Sequence, residues 1–326
     1  HDVVDAWRPD VIHLHNFYHV LSPRILDACR GTRTVMTAHD YHLVCPSSAL
    51  TRCVGDERIA MTAATCRGIG TRLFTRWDHR GRGHSLLKGV QHVWNYRVRA
   101  RHRAIDLVLC PSRFLMREME TTGLPCRFVP QPIDVTPAGD ATRPTAPPLR
   151  FVFAGRVEPE KGLAPWLEML PDDWPHRLDI IGDGADRSRC EAIVGARGLS
   201  DRVTFAGRVP PDVARSRIAS SHVLVLPSRW PENAPLAIFE ALASGTGVLA
   251  SDLGALGELV RESGAGFLFT PDDRASLVTA FASIERAAGD GTLHAFDVDA
   301  LLGARTPDVY VRALLDAYAP GGGAPA

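Results

Sequence analysis

From residue 149 onward the chain alternates short apolar runs with amphipathic ones. "LRFVFAG" (149–155), "LDIIGDG" (178–184), "VTFAG" (203–207), "HVLVLPS" (222–228) and "VLAS" (248–251) read as buried strands. "KGLAPWLEML" (161–170) and "DRSRCEAIVGARG" (186–198) read as helices between them. Strands that are apolar on both faces and separated by helices require a parallel sheet covered on both sides. The pattern predicts a doubly wound α/β domain, whose ligands sit at the carboxyl ends of its strands.

The preceding half repeats the grammar more loosely. "VIHLHN" (11–16), "TVMTAHD" (34–40), "DLVLCPS" (106–112) and "RFVPQP" (127–132) read as strands, with helices at 22–31 and 113–123. Between Tyr41 and Ser85 the chain reads as irregular, and so long an insert in a compact domain is functional or mobile. "TPAGDATRPTAPP" (136–148) reads as an interdomain linker. The expected organisation is a first domain over 1–135 with a basic insert at about 41–85, and a second over 149–305. A helix at 306–319 then precedes a disordered "PGGGAPA", both within 306–326.

Composition excludes several classes. Of 326 residues, 45% are hydrophobic and 23% charged, as in a water-soluble globular protein. No apolar run approaches the ~20 residues that span a bilayer, and the opening "HDVVDAWRPD" lacks the basic start and apolar block of a signal peptide. Seven scattered cysteines point to reduced cytosolic thiols, not a disulfide framework. The net charge of zero hides an asymmetry: from Arg67 to Arg103 there are ten Lys or Arg and one acid, Asp78, so 10 − 1 = +9. That segment is either a solvated basic face or a patch for anionic lipid or a phosphorylated acceptor, with Trp77 and Trp94 at a headgroup surface. Nucleic acid is not expected, because no known motif frames the few aromatics there.

Two stretches carry the chemistry. In "WPENAPLAIFEALASG" (230–245), Glu232 and Glu240 stand in an otherwise apolar frame. Asn233 is expected to cap a helix, Pro235 to fill its first turn and Gly245 to end it. A helix start at the carboxyl end of a strand is a seat for phosphate, offered here by Asn233, Ala234 and Leu236. Glu240, about a turn and a half inside, suits the vicinal hydroxyls of a ribose, and Glu232 on the loop suits those of a sugar. In "FAGRVEPEKG" (153–162), Gly155 lets the backbone approach a ligand, while Arg156 and Lys161 supply a fork and a point charge for a diphosphate.

These stretches, with "IIGDG", "DRVTFAGRV" and "SDLGALGELV", resemble in order and spacing the second domain of family 4 of the retaining glycosyltransferases. "PDVIHLHN", "TAHDYHLVCP" and "LCPSRF" resemble the family's acceptor-side domain. The resemblance implies the GT-B fold: α/β, two Rossmann-like doubly wound parallel-sheet domains facing a cleft. It implies that Glu232 contacts the donor sugar, Glu240 the ribose, and Arg156 and Lys161 the diphosphate. His39 falls on the histidine that the family points toward the transferred sugar. The family's reaction is attack on the face from which the leaving group departs, the β-phosphate acting as base. The expected activity is a hexosyl transfer from a nucleoside diphosphate sugar to a saccharide or lipid-linked acceptor. The alternatives are a catalytically inactive sugar-nucleotide-binding protein and a GT-B epimerase. The expected setting is cell-envelope polysaccharide synthesis, in the cytoplasm and peripherally at the inner face of the membrane.

No cofactor or metal is expected. His13 and His15 share one face of a strand, too few for zinc, and "DVD" (297–299) lies outside any strand-to-helix turn. Cys45, Cys53 and Cys66 resemble a cysteine-bearing loop of some relatives, but gaps of seven and twelve residues suit zinc poorly. Two departures from the family stand out. Pro235 lacks the N–H that a glycine turn would offer, and the glycine-rich turn that opens the family's first domain has no counterpart before residue 11. The first domain is therefore expected to be incomplete, with donor binding retained and transfer to an acceptor poor.

Overall fold

The computed structural model describes residues 2–19, 21–55, 57–133 and 148–319. Nearly all of the 136–148 linker and the "PGGGAPA" tail lie outside them. The chain divides into two compact units, His1–Pro132 with Pro307–Ala326, and Ile133–Thr306.

In the first unit the strands are β1 (Val11–His15), β2 (Arg33–Thr37), β3 (Thr51–Val54), β4 (Glu57–Ala60), β5 (Leu107–Cys110) and β6 (Cys126–Phe128). Four of them form a parallel sheet in the order β1-β2-β5-β6. All of β5, "LVLC", is buried, as a strand with no polar face requires. One face of the sheet packs on Leu26, Tyr41, Trp77 and Leu115. On the other, Val35, Leu107 and Leu109 meet Leu314 and Ala317 of the helix Pro307–Tyr318. That helix is pinned by polar contacts too: the Tyr318 hydroxyl lies 2.7 Å from His13 Nδ1, and Arg33 donates to the Ala317 carbonyl at 2.9 Å.

The insert differs from its irregular expectation. It contains the antiparallel hairpin β3-β4, a helix Ile69–Phe74, and the start of a helix Arg82–Val93 that continues as a π-helical turn, Trp94–Val98. Its anchors Tyr41, Cys45, Leu50, Cys66 and Trp77 are buried. They fall at irregular intervals along the sequence, so they leave no periodic signal. Arg72, counted in the basic segment, is buried beneath them and donates to the Cys66 carbonyl at 2.7 Å. The helices expected at 22–31 and 113–123 shorten to Ile25–Ala28 and Arg113–Glu120, the second capped by the Ser112 hydroxyl on the Leu115 N–H.

In the second unit β7 (Arg150–Ala154), β8 (Arg177–Ile181), β9 (Val203–Gly207), β10 (Val223–Leu226), β11 (Gly247–Ser251) and β12 (Gly266–Phe269) are all parallel, in the order β12-β11-β10-β7-β8-β9. β12 has no counterpart among the expected strands: its "GFLF" is only four residues long and opens on glycine. Trp166, Trp174 and Phe281 cover one face of the sheet; Ile238, Phe239 and Leu256 cover the other. Strand order reverses between β7 and β10, so the turns after these two strands flank the crevice where doubly wound sheets take ligands.

Candidate active site

Both candidate motifs leave that switch point. The turn after β7 holds Gly155 to Lys161, and the loop after β10 holds Ser228 to Pro235. The loop is fastened at two points. The Arg229 N–H donates to the Glu160 carbonyl at 2.9 Å, and the Ala255 N–H to the Glu232 carbonyl at 3.3 Å. Two glycines permit this closeness. Gly162 has φ +70°, and a Cβ there would stand 2.0 Å from the Pro227 carbonyl oxygen. Gly254 has φ +59°, and its Cβ would stand 2.8 Å from Pro231. Left-handed backbone and missing Cβ are thus both used. Gly162 also delays the helix expected from residue 161: it runs Leu163–Met169, after a 3-10 turn Pro159–Lys161.

Lys161 and Glu232 meet there. Lys161 Nζ donates to Glu232 Oε2 at 2.8 Å, and the Ser228 hydroxyl donates to Oε1. Lys161 Nζ also lies 5.6 Å from the Trp230 ring centroid, within cation–π range. Ser228 and Trp230 were not singled out in the sequence; their position directly after a fully apolar strand was the available signal. Trp230 Nε1 is buried with no hydrogen-bond partner among the described residues.

The helix beyond the loop is Leu236–Ala243, and its N-cap is Pro235 at φ −68°, ψ 125°, not Asn233. Proline keeps the residue before it out of the helical region, so Ala234 cannot join and the helix starts at Leu236. Its first N–H groups are those of Leu236 and Ala237, which have no acceptor within the helix. Asn233 and Ala234 lie in the loop. A depression of about 280 Å³ is lined by Gly155, Lys161, Ser228, Glu232, Leu236 and Ala237. Glu240 is half-buried on the same helix, and its carboxylate makes no hydrogen bond among the described residues. Arg156 is not drawn in: its side chain is 66% exposed, 4.0 Å from Glu160.

In the first unit His39 follows β2. Its Nε2 shares a hydrogen bond of 2.8 Å with His15 Nδ1, and its Nδ1 lies 3.4 Å from Gln131 Nε2. His13 Nε2 pairs with the Thr37 hydroxyl at 2.8 Å. Burial lowers all three histidines, with His15 adding to the effect on His39, and His13 falls to about 4. All three are therefore neutral near pH 7. Among the described residues no cluster of three or more His, Cys, Asp or Glu is placed to hold a metal. Of the three cysteines, Cys45 and Cys66 have their sulfurs 3.0 Å apart in the core, while Cys53 lies on β3. Asp297 Oδ1 in "DVD" accepts the Asp299 N–H.

Two family models tile the chain: glycosyltransferase family 4 over residues 1–137, and glycosyl transferases group 1 over residues 142–291. Both halves of the chain are glycosyltransferase domains, the first of family 4 and the second of group 1. Among relatives, the phosphatidyl-myo-inositol mannosyltransferase of Mycobacterium leprae is 29% identical over 62% of this chain and 54% of its own. The alpha-D-kanosaminyltransferase of Streptomyces kanamyceticus is 31% identical over 37% of this chain and 32% of its own. The chain thus spans about half, or less, of the length of these curated relatives. Sucrose-phosphate synthase from Thermosynechococcus elongatus superposes with a TM-score of 0.70 at 19% identity, over 96% of this chain and 74% of its own. Anabaena HepE in complex with UDP gives 0.66 at 16%, over 96% and 80%. These likenesses establish the GT-B fold.

Proposed function

We propose that the chain is a retaining, metal-independent glycosyltransferase that moves a hexose from a nucleoside diphosphate sugar to a saccharide or lipid-linked acceptor. The observation that carries the reading is Lys161 held against Glu232 beside the free amides of Leu236 and Ala237. Those amides and Lys161 are donors for a diphosphate, and Arg156 reaches it by leaving Glu160. That contact is a long, exposed ion pair of little strength, so the release costs little. Glu240, a turn farther along the helix, accepts from the ribose hydroxyls. Glu232, released by Lys161 as the phosphates take the cation, accepts from the sugar.

Retention follows from the face on which the acceptor oxygen bonds to the anomeric carbon. As the bond to the anomeric carbon breaks, negative charge grows on the β-phosphate, which Lys161, Arg156 and the helix amides stabilise. The departing phosphate oxygen then takes the proton of an acceptor hydroxyl arriving on the same face. The relatives' names fit cell-envelope glycan synthesis, carried out in the cytoplasm with peripheral contact at the inner face of the membrane. A thermal-shift screen of sugar nucleotides, followed by NMR of the product formed from the stabilising donor, tests the reading. The expected product keeps the donor's anomeric configuration. An inverted product overturns retention, and tight binding without turnover points to a sugar-nucleotide-binding protein.

A further inference from the structure

The helix Arg82–Val93 and the π-helical turn Trp94–Val98 face the wrong way for a soluble protein. Their inward residues are Ser85, Gly89, His92 and Tyr96, small or polar for the most part. Gly89 lies so close to the helix Ile69–Phe74 that a Cβ on it would stand 2.1 Å from the Arg72 carbonyl oxygen. The opposite side carries Leu86, Val90 and Trp94 at intervals of four, with Leu87 and Val98 beside them, all exposed; Trp94 is 54% exposed. Phe74, at the end of the neighbouring helix, is 85% exposed. A groove of about 800 Å³ joins this ridge, lined by Val54, Leu73, Phe74 and Leu86 with Arg76 and Arg82. Contiguous exposed apolar surface rimmed by polar groups marks an interaction site.

The charges around the ridge identify its occupant. Arg80 and Lys88 are taken up by Asp78, at 2.8 and 2.7 Å, and Arg72 and Arg101 are buried. Arg67, Arg82, Arg97, Arg99 and Arg103 remain exposed, with no carboxylate of a described residue in ion-pair range. Arg82 stands four residues before Leu86 and Arg97 three after Trp94, so cations bracket the ridge. A second copy would bring two such cationic sets together and repel. An anionic lipid surface satisfies the ridge and its rim at once. Trp77, grouped with Trp94 in the sequence reading, takes no part: it is buried, with its Nε1 on the Arg72 carbonyl.

We infer that this ridge, from Phe74 to Val98, is the surface by which the protein docks on an anionic bilayer. The inference deepens the membrane part of the proposed function by assigning its residues, and its test needs neither donor nor acceptor, so it stands or fails apart from glycosyl transfer. The full chain is pelleted with phosphatidylcholine vesicles and with phosphatidylcholine–phosphatidylglycerol vesicles. Binding should rise at least ~10-fold with the anionic lipid and fall with salt. Arg82→Glu with Arg97→Glu should return it to the neutral-vesicle level. Leu87→Ser with Trp94→Ser should cut it ~10-fold or more while leaving the melting temperature unchanged, since both side chains are solvent-facing. Brominated lipid should quench fluorescence in the parent and not in Trp94→Phe. Equal binding to neutral vesicles, or full binding by the Leu87/Trp94 variant, overturns the assignment. So does a concentration-dependent dimer in sedimentation velocity that this variant abolishes.

Discussion

Lys161 Nζ and Glu232 Oε2, from residues 71 apart in sequence, lie 2.8 Å from each other, and Ser228 holds the second oxygen of the same carboxylate. The lysine is therefore ion-paired in this structure, and a diphosphate seated there would have to displace the glutamate. Glu232→Ala removes the competitor and the sugar contact together. Calorimetry should show bare diphosphate binding unchanged or a few-fold tighter, while the extra affinity of the sugar nucleotide disappears. A loss of bare diphosphate affinity as large as that of Lys161→Ala would contradict this division of roles.

Glu240 makes no hydrogen bond among the described residues although it is half-buried, as suits a carboxylate awaiting two hydroxyls. Hydrogen bonds to a charged acceptor contribute about 1.5–3 kcal/mol. Glu240→Ala should weaken a ribonucleoside diphosphate by ~10-fold or more and leave its 2′,3′-dideoxy analogue unaffected. Equal losses for both would remove the ribose from this site.

Gly162 is the joint between the two motifs. Alanine there meets the left-handed backbone penalty of about 1–2 kcal/mol. It also forces the Pro227 carbonyl, 2.0 Å from the new Cβ, to move. Gly162→Ala should lower the denaturant midpoint and, by shifting Lys161, donor affinity as well. An unchanged midpoint would show that the turn is not held as described.

The sheet of the second unit was legible because a strand such as "VLVL" admits no exposed face. The two motifs were legible as loops after β7 and β10 that share one site, yet the direct contact of Lys161 with Glu232 was not, since it depends on a Cβ missing at Gly162. The helix start slipped by a few residues because the constraint Pro235 places on Ala234 outweighed the capping preference of Asn233. The insert resisted reading for a different reason. The charge count over 67–103 suggested a solvated basic face or a patch for anions, while Arg72 and Arg101 are buried and Trp77 is core. The hydrogen bond from His13 to Tyr318 joins residues 305 apart, beyond any local pattern.

Asp40, next in the chain to His39, offers a test of burial. Burial raises its carboxyl to about 6, against the His42 N–H bond that lowers it. A folded value above the unfolded one of about 3.9 favours folding below that pH, and the contribution is lost as pH rises through about 6. At neutral pH the buried carboxylate costs up to ~3 kcal/mol. Asp40→Asn keeps an acceptor for the His42 N–H, so its stabilising effect should grow from about pH 4 to about pH 7. A pH-independent effect would contradict the burial of the charge.

The most direct test of the donor site is calorimetric titration of uridine, guanosine and adenosine diphosphates into the wild type and Lys161→Ala, both in excess chelator. Binding of at least one diphosphate by the wild type, weakened ~10-fold or more in the variant, is the expected result. Binding that vanishes in chelator and returns with manganese, or that Lys161→Ala leaves intact, would contradict a metal-free diphosphate seat at Lys161.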